Sequence, residues 1–216
     1  VIKALCFDVI GTLADWHGTI ADGLAAIGYR GDRDEFATRW AQFYAGGEIK
    51  TERQIADEGL RLLGELHPSI LSDATKVYQF TNLWVHLKIF PDVLPAFARL
   101  LQLDRYRLVP LSNVTAPMMR RLSTFAGLTW DCVLSAEAVG VKKPDARVYR
   151  YAIEQLRCKP HEVLMVAAHR FDLHGAQAEG LRTAYVQRRD DRPPGPDESF
   201  DYVVADLNEL AEKLIC

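Results

Sequence analysis

The sequence predicts an α/β protein, a doubly wound parallel sheet with a helical block inserted after its first strand. Three observations predict it. The chain opens on a short, continuous apolar run from Val1 to Val9, the pattern of a strand buried on both faces. From Asp15 to about Leu87 the periodicity is helical, with few strand-like runs. Beyond Phe90-Pro91, short apolar runs alternate with amphipathic helical segments, as in parallel strands joined by helices.

In order, the first strand ends at Asp8, and Gly11-Thr12 turns the chain. Phe36, Trp40 and Phe43-Tyr44, then Ile55, Leu60, Leu62-Leu63 and Leu66, repeat at helical spacing. Gly46-Gly47 and His67-Pro68 punctuate them as turns. Val93 to Leu103 reads as a helix and Arg107 to Leu111 as a strand, with Pro110 unusual in it. A helix from Pro117 to Ala126 and a short strand from Asp131 to Leu134 follow. Then come a helix from Ala146 to Leu156, a strand from Val163 to Val166 and a helix from Leu173 to Gly180. A strand from Thr183 to Val186, a Pro-rich loop from Asp191 to Ser199, a strand from Tyr202 to Val204 and a helix from Leu207 to Ile215 complete the chain. The predicted units are a core of residues 1–13 and 88–216 and a helical cap of residues 14–87.

A net charge of -3 over 216 residues gives no basic field for nucleic acid or anionic lipid. The spacing of Cys6, Cys132, Cys158 and Cys216 suggests neither a zinc site nor a disulfide framework. No apolar run reaches membrane-spanning length and the first residues lack a signal-peptide pattern, so a cytoplasmic protein with no membrane partner is expected.

In such sheets ligands bind at the carboxyl ends of the strands, which singles out Asp8, Ser112-Asn113 and the segment after Val166. Asp8 before Gly11-Thr12 is either a chemical carboxylate or a cap for the turn. Ser112 and Asn113 offer a hydroxyl and an amide, or ordinary turn chemistry. Lys143, in Lys143-Pro144-Asp145, either reaches Asp8 and keeps it ionised or is a solvated lysine. Asp172 is a further acid of the site or a helix-start carboxylate.

Together and in this order, Asp8 to Thr12, Leu111-Ser112-Asn113, Lys143-Pro144-Asp145 and Val166 to Asp172 resemble the haloacid dehalogenase superfamily. The resemblance covers essentially the whole chain and implies a Rossmann-type core whose cap closes over a nucleophilic aspartate. Phosphatases of that superfamily usually carry an acid two positions after the nucleophile and a magnesium-binding acid in the last motif. Here those places hold Ile10 and Ala168. Neither side chain transfers a proton or offers magnesium a carboxylate oxygen.

The chain is more similar to the 2-haloacid dehalogenase branch, which needs no metal or cofactor. That resemblance implies Asp8 as nucleophile, Thr12 and Lys143 as its holders, and Asp172 with His169 for the hydrolytic water. It places Ser112 and Ile10 against a small anionic substrate, and Tyr149 near the nucleophile. It makes Arg39, at the branch's spacing from Asp8, the cap arginine that cradles the halide with Asn113 and Phe171. The implied reaction turns a small 2-haloalkanoic acid into a 2-hydroxy acid through an aspartyl ester. A homodimer is common in the branch. A hydrolase of another 2-substituted carboxylate and an atypical phosphatase stay open as alternatives.

Overall fold

The computed structural model describes residues 1–189 and 192–215. Asp191, at the head of the expected Pro-rich loop, and Cys216 lie outside the described residues. Six strands form a parallel sheet: β1 (Ala4–Phe7), β4 (Arg107–Ser112), β5 (Leu134–Ser135), β6 (Val163–Ala167), β7 (Arg182–Val186) and β8 (Tyr202–Val204). Their order is β5-β4-β1-β6-β7-β8, so β1 is central, with Phe7 opposite Pro110 on one side and Val166 on the other.

Both sheet faces are covered, which explains the unbroken apolar run of β1. Leu5 and Phe7 enter one buried cluster, while Ala4 and Cys6 enter the other. The first face packs against α5 (Val93–Gln102), α6 (Ala116–Ala126) and α9 (Leu207–Ile215). The second packs against α7 (Ala146–Leu156) and α8 (Arg170–Ala178). Each fully buried Leu or Phe contributes about 1.5–3 kcal/mol.

Pro110 is tolerated for a geometric reason. Leu108, two residues earlier and of the same parity, points its N–H away from β1 to the Asp131 carboxylate. The absent N–H of Pro110 falls on that same side, and β5 pairs only from Leu111 onward. The strand expected over 131–134 is correspondingly shorter. Asp131 closes a loop onto Leu108, its own N–H donating to the Leu108 carbonyl, and pairing starts at Leu134.

The helical insertion comprises α1 (Trp16–Ala26), α2 (Arg33–Ala45), α3 (Glu52–Leu66) and α4 (Ala74–Thr81). Thr51 and Gln54 form a capping box that starts α3. The block stands on a two-stranded antiparallel ribbon that sequence reasoning did not anticipate, β2 (Ala14–Asp15) with β3 (Lys88–Ile89). At its root, Arg188 Nε donates to the Thr12 carbonyl at 2.8 Å, and its guanidinium pairs with Asp92 at 3.0 Å over the Phe90 ring. No helix among the described residues is long and apolar enough to cross a membrane.

Candidate active site

The carboxyl ends of β1, β4 and β6 meet where the sheet order turns, with later strands added to both sides of β1. This is where an open α/β sheet forms a crevice. Asp8 follows β1, its N–H bonded to the Val166 carbonyl at 2.9 Å. Ser112 ends β4, and His169 caps α8 just beyond β6. The turn after Asp8 depends on Gly11, whose φ is +86° and whose missing Cβ would lie 2.8 Å from His169 Nε2.

Lys143 organises the floor. Its buried ammonium donates to Asp8 Oδ1 at 2.8 Å, to the Leu111 carbonyl at 2.7 Å and to Asp172 Oδ2. These use all three of its donors. The Thr12 hydroxyl donates to Asp8 Oδ2 at 2.7 Å and accepts the Ala168 N–H at 2.9 Å. Burial alone would raise the Asp8 carboxyl, but Lys143, His169 and the Thr12 hydroxyl outweigh it and hold Asp8 below the usual carboxylate range. Burial raises Asp172, and neighbouring Asp8 adds to that beyond what Lys143 and Tyr149 offset. Burial would lower Lys143, yet the two carboxylates hold it above its ordinary value. Asp8 is thus ionised and oriented, the condition for a carboxylate nucleophile.

Asp8, Ile10, Ser112, Asn113, Lys143, His169 and Phe171 all line one cavity of about 350 Å³. Asn113 Oδ1 accepts the Lys143 N–H at 2.8 Å, tying two of the sequence motifs together. His169 Nε2 faces the Ile10 carbonyl at 2.9 Å and lies 3.7 Å from Asp8 Oδ2. A carbonyl only accepts, so this nitrogen carries the proton. Phe171 is half-exposed and stacks on the His169 ring, centroids 5.5 Å apart.

Three expected residues stand elsewhere. Arg39 turns away from the cavity and pairs with Glu65 of α3, with Glu35 at 3.9 Å. The cavity face of α2 is Trp40, Ala41, Tyr44 and Ala45. A residue one step before Trp40 is rotated by about 100° and falls on the side facing α3. Tyr149 is fully buried and lies behind Asp172 rather than against the cavity, its hydroxyl donating to Asp172 Oδ1 at 2.7 Å. Gly175 permits this, since a Cβ there would stand 2.7 Å from the Tyr149 hydroxyl. Asp172 is fully buried and does not line the cavity, so it reaches Asp8 only across Lys143.

Sequence reasoning missed the cavity's aromatic wall. Trp16, Trp40 and Tyr44 line it, with Trp16 and Trp40 centroids 5.4 Å apart. Lys142 was missed as well. Its Nζ donates to the Tyr44 carbonyl at 2.6 Å at the end of α2, a favourable place for a cation. Burial, then nearby Lys50, lowers its pKa. The signal was present in Trp40 and Tyr44 at i, i+4, and in a second lysine beside Lys143.

Residues 2–180 match the haloacid dehalogenase-like hydrolase family. The chain belongs to that family. Among the curated proteins it resembles, an (S)-2-haloacid dehalogenase of Xanthobacter autotrophicus is 32% identical over 209 residues, which cover 87% of this chain and 76% of the relative. This haloacid dehalogenase-like hydrolase also superposes on the crystal structure of an L-2-haloacid dehalogenase with a TM-score of 0.82 and 30% identity, over 100% of this chain and 99% of the other. A Xanthobacter autotrophicus L-2-haloacid dehalogenase with chloropropionic acid covalently bound gives a TM-score of 0.79 at 25% identity, over 100% and 99% of the two chains.

The family also contains magnesium enzymes, and the donor set here does not fit that ion. The Ile10 and Ala168 side chains offer no oxygen, the Ile10 carbonyl faces His169 Nε2, and the Lys143 ammonium already sits between the Asp8 and Asp172 carboxylates.

Proposed function

We propose that this hydrolase converts a small 2-haloalkanoic acid to the 2-hydroxy acid through an ester on Asp8. The observation that carries the reading is an ionised Asp8, clamped by Lys143 and Thr12, at the floor of a mostly apolar cavity lined by Ile10 rather than by a second acid. Such a floor suits attack on carbon by a desolvated carboxylate better than proton delivery to a phosphate leaving group.

In the first step Asp8 attacks C2, the new C–O bond forms, and the halide leaves with the electron pair of the carbon–halogen bond. Ser112 and Asn113 hold the substrate carboxylate, and the halide departs along the wall near Phe171. In the second step water attacks the ester carbonyl carbon of Asp8, and the bond from that carbon to the oxygen on C2 breaks. One water proton passes across Lys143 toward Asp172, whose raised pKa suits it to accept one, and the other goes to the departing oxygen, which becomes the hydroxyl of the product. The products are the 2-hydroxy acid, a halide ion and a proton, and Asp8 is regenerated. His169 positions the water beside Asp8. Tyr149 orients Asp172, and Arg39 serves to tie α2 to α3. Residues 14–87 act as a cap that excludes bulk water from the ester.

The test is a single turnover with 2-chloropropanoate in oxygen-18 water. The label is expected on the Asp8 carboxylate, with one halide released per site. Label in the hydroxy acid alone, or full activity in Asp8→Asn without deamidation, rejects the ester route.

A further inference from the structure

We propose that the cavity takes 2-haloacids whose C2 carries a phenyl-sized apolar group, as well as short ones, and that Ala41 sets this size. The inference rests on the dehalogenase reading and extends its substrate class. It starts from how unevenly the cavity is lined. Asp8, Ser112, Asn113 and Lys143 come from the strand ends and loops of the sheet, while Trp16, Trp40, Tyr44 and the methyls of Ala41 and Ala45 come from α1 and α2. A substrate with its carboxylate and C2 at the polar groups must direct its substituent at this apolar wall.

The cavity as a whole has room for more than a short acid. The cavity measures about 350 Å³, whereas an apolar cavity of about 150 Å³ already holds benzene. Helix phase explains the space. Trp40, Ala41, Tyr44 and Ala45 share the cavity face of α2, and the long side chain of Arg39 is committed to Glu65 on α3. No guanidinium stands in this wall, and at positions 41 and 45 the wall stops at Cβ.

A second, more open cavity of about 500 Å³ begins on the far side of the same residues. Trp16, Ala41 and Ala45 line both, so the two cavities adjoin at these residues and no side chain larger than a methyl stands at Ala41 or Ala45. Trp16, Trp40 and Tyr44 offer a ring the offset or edge-on contacts that aromatic pairs favour. Each additional methylene in such an apolar pocket changes specificity by about tenfold or more.

The experiment compares halide release from 2-bromopropanoate and 2-bromo-3-phenylpropanoate, for the native enzyme and for Ala41→Phe. The native kcat/KM for the phenyl acid is expected to equal or exceed that for the short acid. Ala41→Phe is expected to lower the phenyl-to-methyl ratio by at least about tenfold. The ratio compares two substrates on one sample, so a partly unfolded variant does not alter it. Turnover of the short acid with a lower native kcat/KM for the phenyl acid overturns the inference and leaves the dehalogenase reading standing. A ratio unmoved by Ala41→Phe also overturns it. Turnover of neither acid rejects both.

Discussion

Replacing Lys143 with Met keeps the length of the side chain and removes its charge. The ammonium donates to Asp8 Oδ1 at 2.8 Å, to the Leu111 carbonyl at 2.7 Å and to Asp172. Both carboxylates are buried, Asp172 completely. Deleting one partner of a buried ion pair destabilises by about 3–5 kcal/mol, because the other charge stays behind unpaired. At neutral pH one of the two carboxyls then holds a proton in the folded state and releases it on unfolding. The folded state binds more protons than the unfolded one, so stability rises as pH falls. The limit is about 1.4 kcal/mol per pH unit, or about 2.7 kcal/mol from pH 7.5 to 5.5. In the native protein the two carboxyls oppose each other, since Asp8 lies below its ordinary value and Asp172 above it, so the slope is shallower. The Asp8 contribution is complete above the unfolded carboxylate pKa and is lost only as pH falls toward the folded one. Urea melts of both proteins at the two pH values check this. A variant that loses less than about 1 kcal/mol, with the pH slope of the native protein, would refute the shared-ammonium account.

Asp8→Asn should lower halide release by about 10⁴-fold or more while the fold is retained, read by circular dichroism beside the activity assay. Arg39→Ala should leave kcat/KM within about threefold and stability within about 1 kcal/mol, because its partner is a half-exposed Glu65. A hundredfold loss in a halide assay would show that the guanidinium reaches the substrate. Tyr149→Phe removes the 2.7 Å bond to Asp172 and should reduce turnover by about tenfold. That bond helps to lower Asp172, so its loss should also move the acidic limb of the rate profile to higher pH. An unmoved limb would place Tyr149 outside the chemistry.

The core was legible because its strands are buried on both faces. A strand such as Val163–Ala167 shows as an unbroken apolar run, and each run ends where a polar residue leaves the sheet. That also made Asp8, Ser112 and the segment after Val166 readable, since strand ends converge in this topology. Direction around a helix was not readable. Counting from Asp8 fixes how far along the chain Arg39 lies, but one residue more or less turns a side chain from the cavity to α3. The aromatic wall was hidden for a related reason. Trp40 and Tyr44 at i, i+4 give the same signal whether they face packed core or empty space. The ribbon of Ala14–Asp15 with Lys88–Ile89 is too short for any period to mark it. The helix expected from Leu173 begins at Arg170, where Asp172 in the first turn carries no apolar signature.

One ammonium between two carboxylates leaves the resting floor with a surplus negative charge. In the proposed first step that surplus departs on the halide. Asp8 becomes a neutral ester, and Lys143 and Asp172 are left in one-to-one balance. Counted without the substrate's own carboxylate, the three groups of this floor are therefore electroneutral only partway through turnover. The resting protein stores an imbalance that forming the ester relieves and that water, by freeing Asp8, restores.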